Sequence, residues 1–193
     1  MKDLLVFVAN GFEEVEALTV VDYCRRAGLE VDLVSVTDRK EVRGAHGVTV
    51  IADELLDNVS IKDYAGVYIP GGQPGATNLM KEKRVVEIVE IMKEQEKIVG
   101  AICAGPQVLD AARIIESGKF TCYPGVEQRL EVKDPLDLPV YREENVITAM
   151  GPALAICMAE KMVEALADEE KAKEISEEFL VPKLRQFIKE DIF

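Results

Sequence analysis

The sequence predicts an α/β fold: a doubly wound, mostly parallel sheet held between two helical layers in a single domain. Three observations predict it. The β-like runs are apolar throughout instead of alternating, the pattern of strands covered on both faces. Helical patterns separate them, as crossovers between parallel strands require. The length of 193 residues suits one α/β domain with a sizeable core. No internal repeat, low-complexity tract or linker divides it, so residues 1–193 read as one domain, with a core over about 4–167 and a helical tail over 168–193.

Leu4 to Ala9 is a continuous apolar run, broken by Asn10-Gly11, and a helix begins near Phe12. Val20, Cys24 and Ala27 form that helix's core stripe, with Ala17 and Val21 beside them, and Gly28 ends it. Four residues before Val20 stands Glu16, an acid on the buried stripe, whereas Glu14 aligns with Leu18 and Asp22 nearer the outer face. Acids in a first turn are favoured by the helix dipole, which accounts for Glu14. It explains Glu16 less well, because a carboxylate on an apolar stripe is desolvated unless protonated or partnered.

Glu30 to Val36 is a second strand, Thr37 to Gly47 a polar turn segment and Val48 to Ala52 a short strand. His46, between two nearby glycines, reads as an exposed loop residue. Asp53 to Val59 is a short helical or irregular connection. Gly66 to Ile69 is a core strand ending at Pro70-Gly71-Gly72-Gln73-Pro74-Gly75, followed by helical segments at Ala76 to Met80 and Arg84 to Glu96. Ile98 to Ile102 stops at Cys103, and a helix pattern starts at Gln107 and ends near Gly118. Phe120 to Cys122 is β-like and Val126 to Val140 polar and irregular. Asn145 to Thr148 is the last strand, and Gly151-Pro152 opens a long helix through about Ala167. A charged helix (Glu169 to Phe179) precedes a tail whose Val181, Leu184, Phe187 and Ile188 need a surface to pack on, either the body or a second subunit.

A formal net charge of −13 argues against nucleic acid and anionic membranes as partners. Met1-Lys2-Asp3 lacks the basic start of a signal peptide, and no stretch is long enough to cross a bilayer, so a cytoplasmic location is expected. The cysteines Cys24, Cys103, Cys122 and Cys157 form no CxxC pair, so neither a zinc site nor a disulfide framework is expected. His46 is the only histidine, and any Cys-His dyad or histidine metal site rests on it. Neither GxxxxGK[ST] nor GxGxxG occurs, and no metal or cofactor is expected.

The chemistry centres on Cys103. A side chain at a sharp strand-to-helix turn is lifted out of the sheet, beside free helix N-terminal amides. Those amides favour an anion, which biases the thiol toward thiolate. In a doubly wound sheet ligands bind beyond the carboxyl ends of the strands. Glu16, Gly71-Gly72 and Cys103 all fall on that edge, and a flavodoxin-like strand order sets them side by side. An acid, amides and a thiol then share one pocket.

Gly11-Phe12-Glu13-Glu14-Val15-Glu16, Pro70-Gly71-Gly72-Gln73-Pro74-Gly75-Ala76, Ala101-Ile102-Cys103-Ala104-Gly105-Pro106 and Gly151-Pro152 resemble the ordered motifs of the ThiJ/PfpI superfamily. The nearest branch is that of the parkinsonism-associated deglycase (DJ-one-like) and its bacterial relatives. The resemblance runs from about Leu4 to Ala167 and implies a flavodoxin-like homodimer. It implies that Cys103 is the reactive, oxidation-sensitive cysteine, that Glu16 is the acid bonded to it, and that the Gly72 and Ala104 amides form the oxyanion hole. Gly71, Glu13, His46, Tyr123, Gly151 and Pro152 are the expected pocket lining. Tyr123 stands where several members have a histidine, and Ala104 stands where the protease-like branch has one, so peptidase activity is not expected.

The resemblance implies cofactor-independent glyoxalase or deglycase action on small α-oxoaldehydes and their thiol or amine adducts. The alternative is a redox-responsive, chaperone-like protein in which Cys103 is oxidised to sulfinate while Cys24 and Cys157 are spared in helix cores.

Overall fold

Leu4, Val6 and Val8 enter one hydrophobic core while Leu5, Phe7 and Ala9 enter another, so the first strand is covered on both faces. The computed structural model describes residues 2–190. In chain order the strands are β1 (Lys2–Val8), β2 (Val31–Ser35), β3 (Glu41–Arg43), β4 (Thr49–Ile51), β5 (Glu54–Leu55), β6 (Tyr64–Ile69), β7 (Ile98–Ile102), β8 (Val140–Glu143) and β9 (Val146–Ala149). The helices are α1 (Glu14–Arg26), α2 (Gly75–Lys81), α3 (Lys83–Glu94), α4 (Pro106–Ala111), α5 (Ala155–Leu166), α6 (Glu169–Glu178) and α7 (Val181–Lys189). The domain and tail boundaries expected at residue 1 and residues 191–193 lie outside the described residues.

The main sheet has seven strands in the order β5-β2-β1-β6-β7-β9-β8, parallel except for β8, which pairs antiparallel with β9. Val20, Cys24, Met158, Met162 and Ile175 cover one face from α1, α5 and α6. Leu79, Val85, Val89, Met92, Val108 and Leu109 cover the other from α2, α3 and α4. This is the doubly wound α/β/α sandwich, and each fully buried Leu, Val or Phe contributes roughly 1.5–3 kcal/mol relative to exposure. The order puts the carboxyl ends of β1, β6 and β7 next to one another.

The structure corrects several local readings. The polar segment after β2 holds β3, which pairs with β4 as an antiparallel hairpin outside the main sheet. Phe120 to Cys122 is not a strand, because its ladder is replaced by a side chain: the Thr121 amide donates to Thr148 Oγ1 at 3.0 Å. The segment read as irregular through Val140 ends in β8. The helix after Cys103 stops at Ala111, and the one after Gly151 begins with a 3₁₀ turn over Pro152–Leu154. Cys157 is half-buried and not core.

The tail packs on the body. Ile175 and Ala172 of α6 are buried, Ser176 donates to Glu160 at 2.6 Å, and the Phe179 ring lies 4.6 Å from that of Tyr23. Val181 is buried, but Leu184, Phe187 and Ile188 on α7 remain largely exposed. No helix among the described residues is long and apolar enough to cross a membrane.

Candidate active site

Cys103 follows directly on β7 with φ +60°, the left-handed region that a non-glycine residue enters at a cost of roughly 1–2 kcal/mol. Two backbone bonds hold it there. Its N–H donates to Ala149 at 3.0 Å, and its carbonyl accepts from Tyr123 at 3.0 Å. The strain turns the side chain out of the sheet toward an open cavity of about 500 Å³.

Glu16 reaches the same place from the first turn of α1. It is fully buried, and its Oε2 accepts the Gly71 amide at 2.7 Å. Its Oε1 is buried with no nitrogen or oxygen partner among the described residues, which leaves it as the atom to carry a proton. Tyr68 anchors the helix below by donating to the Glu16 carbonyl at 3.1 Å. A Cβ on Gly71 would lie 2.6 Å from Glu16 Oε2, 2.7 Å from Cys103 Cβ and 2.9 Å from the Ala104 nitrogen. Acid, cysteine and amide therefore crowd around one point, and only glycine fits between them. Gly72, with φ +86°, turns its amide toward the sulfur, and a Cβ there would sit 2.3 Å from the Glu13 nitrogen.

The electrostatics correct the expectation of a depressed thiol. Burial pushes Cys103 up to about 12, the Glu16 charge and hydrogen bond add to it, and the Gly72 and Ala104 amides pull the other way. α4 is too short to supply much dipole. Burial also raises Glu16 to about 7, opposed by the Gly71 amide and by its contact with Cys103. The two groups titrate as a pair: between those limits they hold one proton, and the sulfur is anionic when that proton sits on Glu16.

Glu13, Glu16, Gly72, Cys103, Ala104, Tyr123 and Pro152 line the cavity, as the sequence suggested. Gly71, Gly151 and His46 do not. Gly71 lies behind the lining with its amide on Glu16, and Gly151 packs against the Tyr123 ring. His46 is held elsewhere by Glu14, whose Oε1 accepts the His46 and Val48 amides at 2.8 and 3.3 Å and whose Oε2 lies 3.0 Å from His46 Nδ1. Glu14 is accordingly buried, against the helical-periodicity reading, because the 44–48 loop folds over it. Burial works to raise its carboxyl, but hydrogen bonds from its own backbone, His46 and Val48 bring it below the usual value. His46 is raised in turn by Glu14 and by the nearby Glu13 charge.

Sequence reasoning missed Gln73, Pro124, Gly125, Val126 and Arg129, which complete the wall. Gln73 lies inside the glycine-rich turn after β6, and Pro124-Gly125 is a dipeptide that marks a loop without saying that it returns over β7.

Comparison with known proteins agrees with this architecture. The "Protein dj-1beta" of Drosophila melanogaster is 32% identical, over 93% of this chain and 97% of its own. "Protein DJ-1 homolog A" of Arabidopsis thaliana is 32% identical over 92% of this chain but only 46% of its own, so this chain spans about half the length of that relative. The solved structure titled "Toxoplasma gondii DJ-1, oxidized" superposes with a TM-score of 0.88 at 35% identity, covering 93% of this chain and 98% of that one. The DJ-1/PfpI family matches residues 2–165. The chain belongs to the DJ-1/PfpI family.

Proposed function

We propose that the protein is a cofactor-independent glyoxalase or deglycase acting on α-oxoaldehydes and their thiol or amine adducts. The observation that carries this reading is the crowding of Glu16, Cys103 and the Ala104 amide around Gly71 at the wall of an open cavity. The Cys103 thiolate adds to the aldehyde carbon of methylglyoxal, forming a C–S bond. The oxyanion takes hydrogen bonds from the Gly72 and Ala104 amides and then a proton. Glu16, now a carboxylate, removes the proton from that carbon and returns one to the neighbouring carbonyl carbon through an enediol, leaving a lactoyl thioester. Water hydrolyses the thioester, releasing lactate and restoring the thiol. The sum is methylglyoxal plus water giving lactic acid, with no external oxidant or reductant. No imidazole lines the cavity among the described residues. Incubating the purified chain with methylglyoxal and following lactate by proton NMR tests the reading; lactate above the protein-free control is expected, and none overturns it.

The contrast among the cysteines favours a second reading, oxidation sensing. Cys24 and Cys122 are buried and Cys157 is half-buried outside the cavity lining, whereas Cys103 opens on the cavity. Hydrogen peroxide oxidises the Cys103 thiolate to sulfenate and a second equivalent takes it to sulfinate, with water as the other product each time. A protonated Glu16 and the two amides would hold the sulfinate oxygens. Peptide mapping after mild peroxide is expected to find two added oxygens on Cys103 before any on Cys24, Cys122 or Cys157; oxidation spread over all four counts against it.

A further inference from the structure

We propose that Arg129 is the anion-recognising residue of the Cys103 cavity, and that it gives carbonyl adducts carrying a carboxylate preference over the free oxoaldehyde. The proposal rests on the carbonyl-adduct reading of this site. It begins with size. A water molecule takes about 30 Å³ of liquid, and a three-carbon oxoaldehyde is only a few waters large, so a cavity of about 500 Å³ leaves most of its wall unused. Besides Glu13, Glu16, Gly72, Cys103 and Ala104, the lining includes Gln73, Tyr123, Val126 and Arg129.

Among the described residues Arg129 is the only cationic side chain in the lining. The chain carries 36 acidic and 23 basic residues, and most of its other arginines have carboxylates to meet. Arg25, Arg26, Arg39, Arg84 and Arg185 each do so, five of the other eight. Arg129 meets no carboxylate within 4.0 Å among the described residues and donates no side-chain hydrogen bond there. A guanidinium is a rigid fork of donors matched to a carboxylate. Here it stands ready for one at the wall of a pocket whose other ionisable lining groups are Glu13, Glu16, Cys103 and Tyr123. Adducts of α-oxoaldehydes with amino acids or cysteine-type thiols carry a carboxylate a few bonds from the reacting carbon. Glu13 repels a misplaced carboxylate, so the pair Glu13 and Arg129 also orients the ligand.

Alkylation of Cys103 tests the assignment without depending on turnover. Iodoacetate and iodoacetamide react identically, sulfur displacing iodide, but only the first carries a carboxylate. The ratio of the two rates is expected to fall at least fivefold in Arg129→Ala and further in Arg129→Glu, and to be largely retained in Arg129→Lys. The difference in this ratio between the wild type and Arg129→Ala is expected to shrink as salt is raised. An unchanged ratio in both Arg129→Ala and Arg129→Glu overturns the anion assignment, whatever the absolute rates, and leaves the reactive-cysteine reading standing. No reaction at Cys103 with either reagent overturns both. The hemithioacetals that methylglyoxal forms with mercaptoacetate and with mercaptoethanol provide the matching substrate pair. The wild type is expected to favour the first through KM, and Arg129→Ala to lose that preference at least fivefold.

Discussion

A Cys103→Ala variant is expected to lower kcat/KM for methylglyoxal by roughly 10³-fold or more, the scale at which removing a nucleophile leaves only the residual effect of the oxyanion site and binding. The reasoning runs through every step of the proposed route. Without sulfur there is no covalent adduct, the Gly72 and Ala104 amides have no thiohemiacetal oxyanion to hold, and Glu16 has no activated C–H to work on. Alanine keeps the Cβ that packs near Gly71 and the backbone bonds to Ala149 and Tyr123, so the fold is expected to survive with a similar melting temperature. Cys157→Ala, on α5 and outside the cavity lining, serves as the control and is expected to keep its activity. Lactate formation unchanged by Cys103→Ala would show that the chemistry lies elsewhere.

Glu16→Gln is expected to make the protein more stable and less active. The Glu16 carboxyl is held at about 7 in the folded chain against its ordinary 4.5. Folding therefore favours the protonated form. That contribution is complete below pH 4.5 and is lost as pH rises through 7, and the displacement corresponds to ~3 kcal/mol. Glutamine imitates the protonated acid at every pH and keeps the Gly71 amide bonded. Urea unfolding at pH 8 is expected to show Glu16→Gln more stable by about that amount, with the two proteins converging near pH 4. Equal stabilities at pH 8 would mean that the buried carboxylate is no burden to the fold. Activity is expected to fall by about 10²- to 10⁴-fold, the range of a lost general acid-base. The wild-type alkylation rate is expected to climb near pH 7, where the pair loses its first proton, and again near 12. With glutamine a single step between those limits should replace both.

The elements legible in the sequence are those whose residues are buried on both sides. β1, β6 and β7 announce themselves as unbroken apolar runs because helices cover both faces. Glu16 was legible for the same reason, as the one acid on a stripe that has to be buried. What stayed hidden depends on contacts distant in sequence. β8 is an edge strand with Arg142 exposed and Glu143 half-buried, so it carries no apolar signal. Glu14 looks like a surface residue until the 44–48 loop closes on it. Phe120 to Cys122 is apolar enough for a strand, but the hydroxyl of Thr148 takes the place of a ladder partner. The thiol was misjudged because the amides near Cys103 can be counted along the chain, whereas the burial that outweighs them arrives only with the fold.

The two margins of the main sheet are narrow: β5 contributes only Glu54 and Leu55, and β8 runs against the grain of its neighbours. Another chain that tried to continue the hydrogen-bonded array would find two residues to grip on one flank and a charged, reversed strand on the other. The sheet is thereby protected against extension at both margins. Exposed apolar side chains lie instead on helical and loop surfaces: Val15 and Leu18 of α1, Val48 and Ile51 beside the loop that Glu14 fastens to that helix, and Leu184, Phe187 and Ile188 of α7.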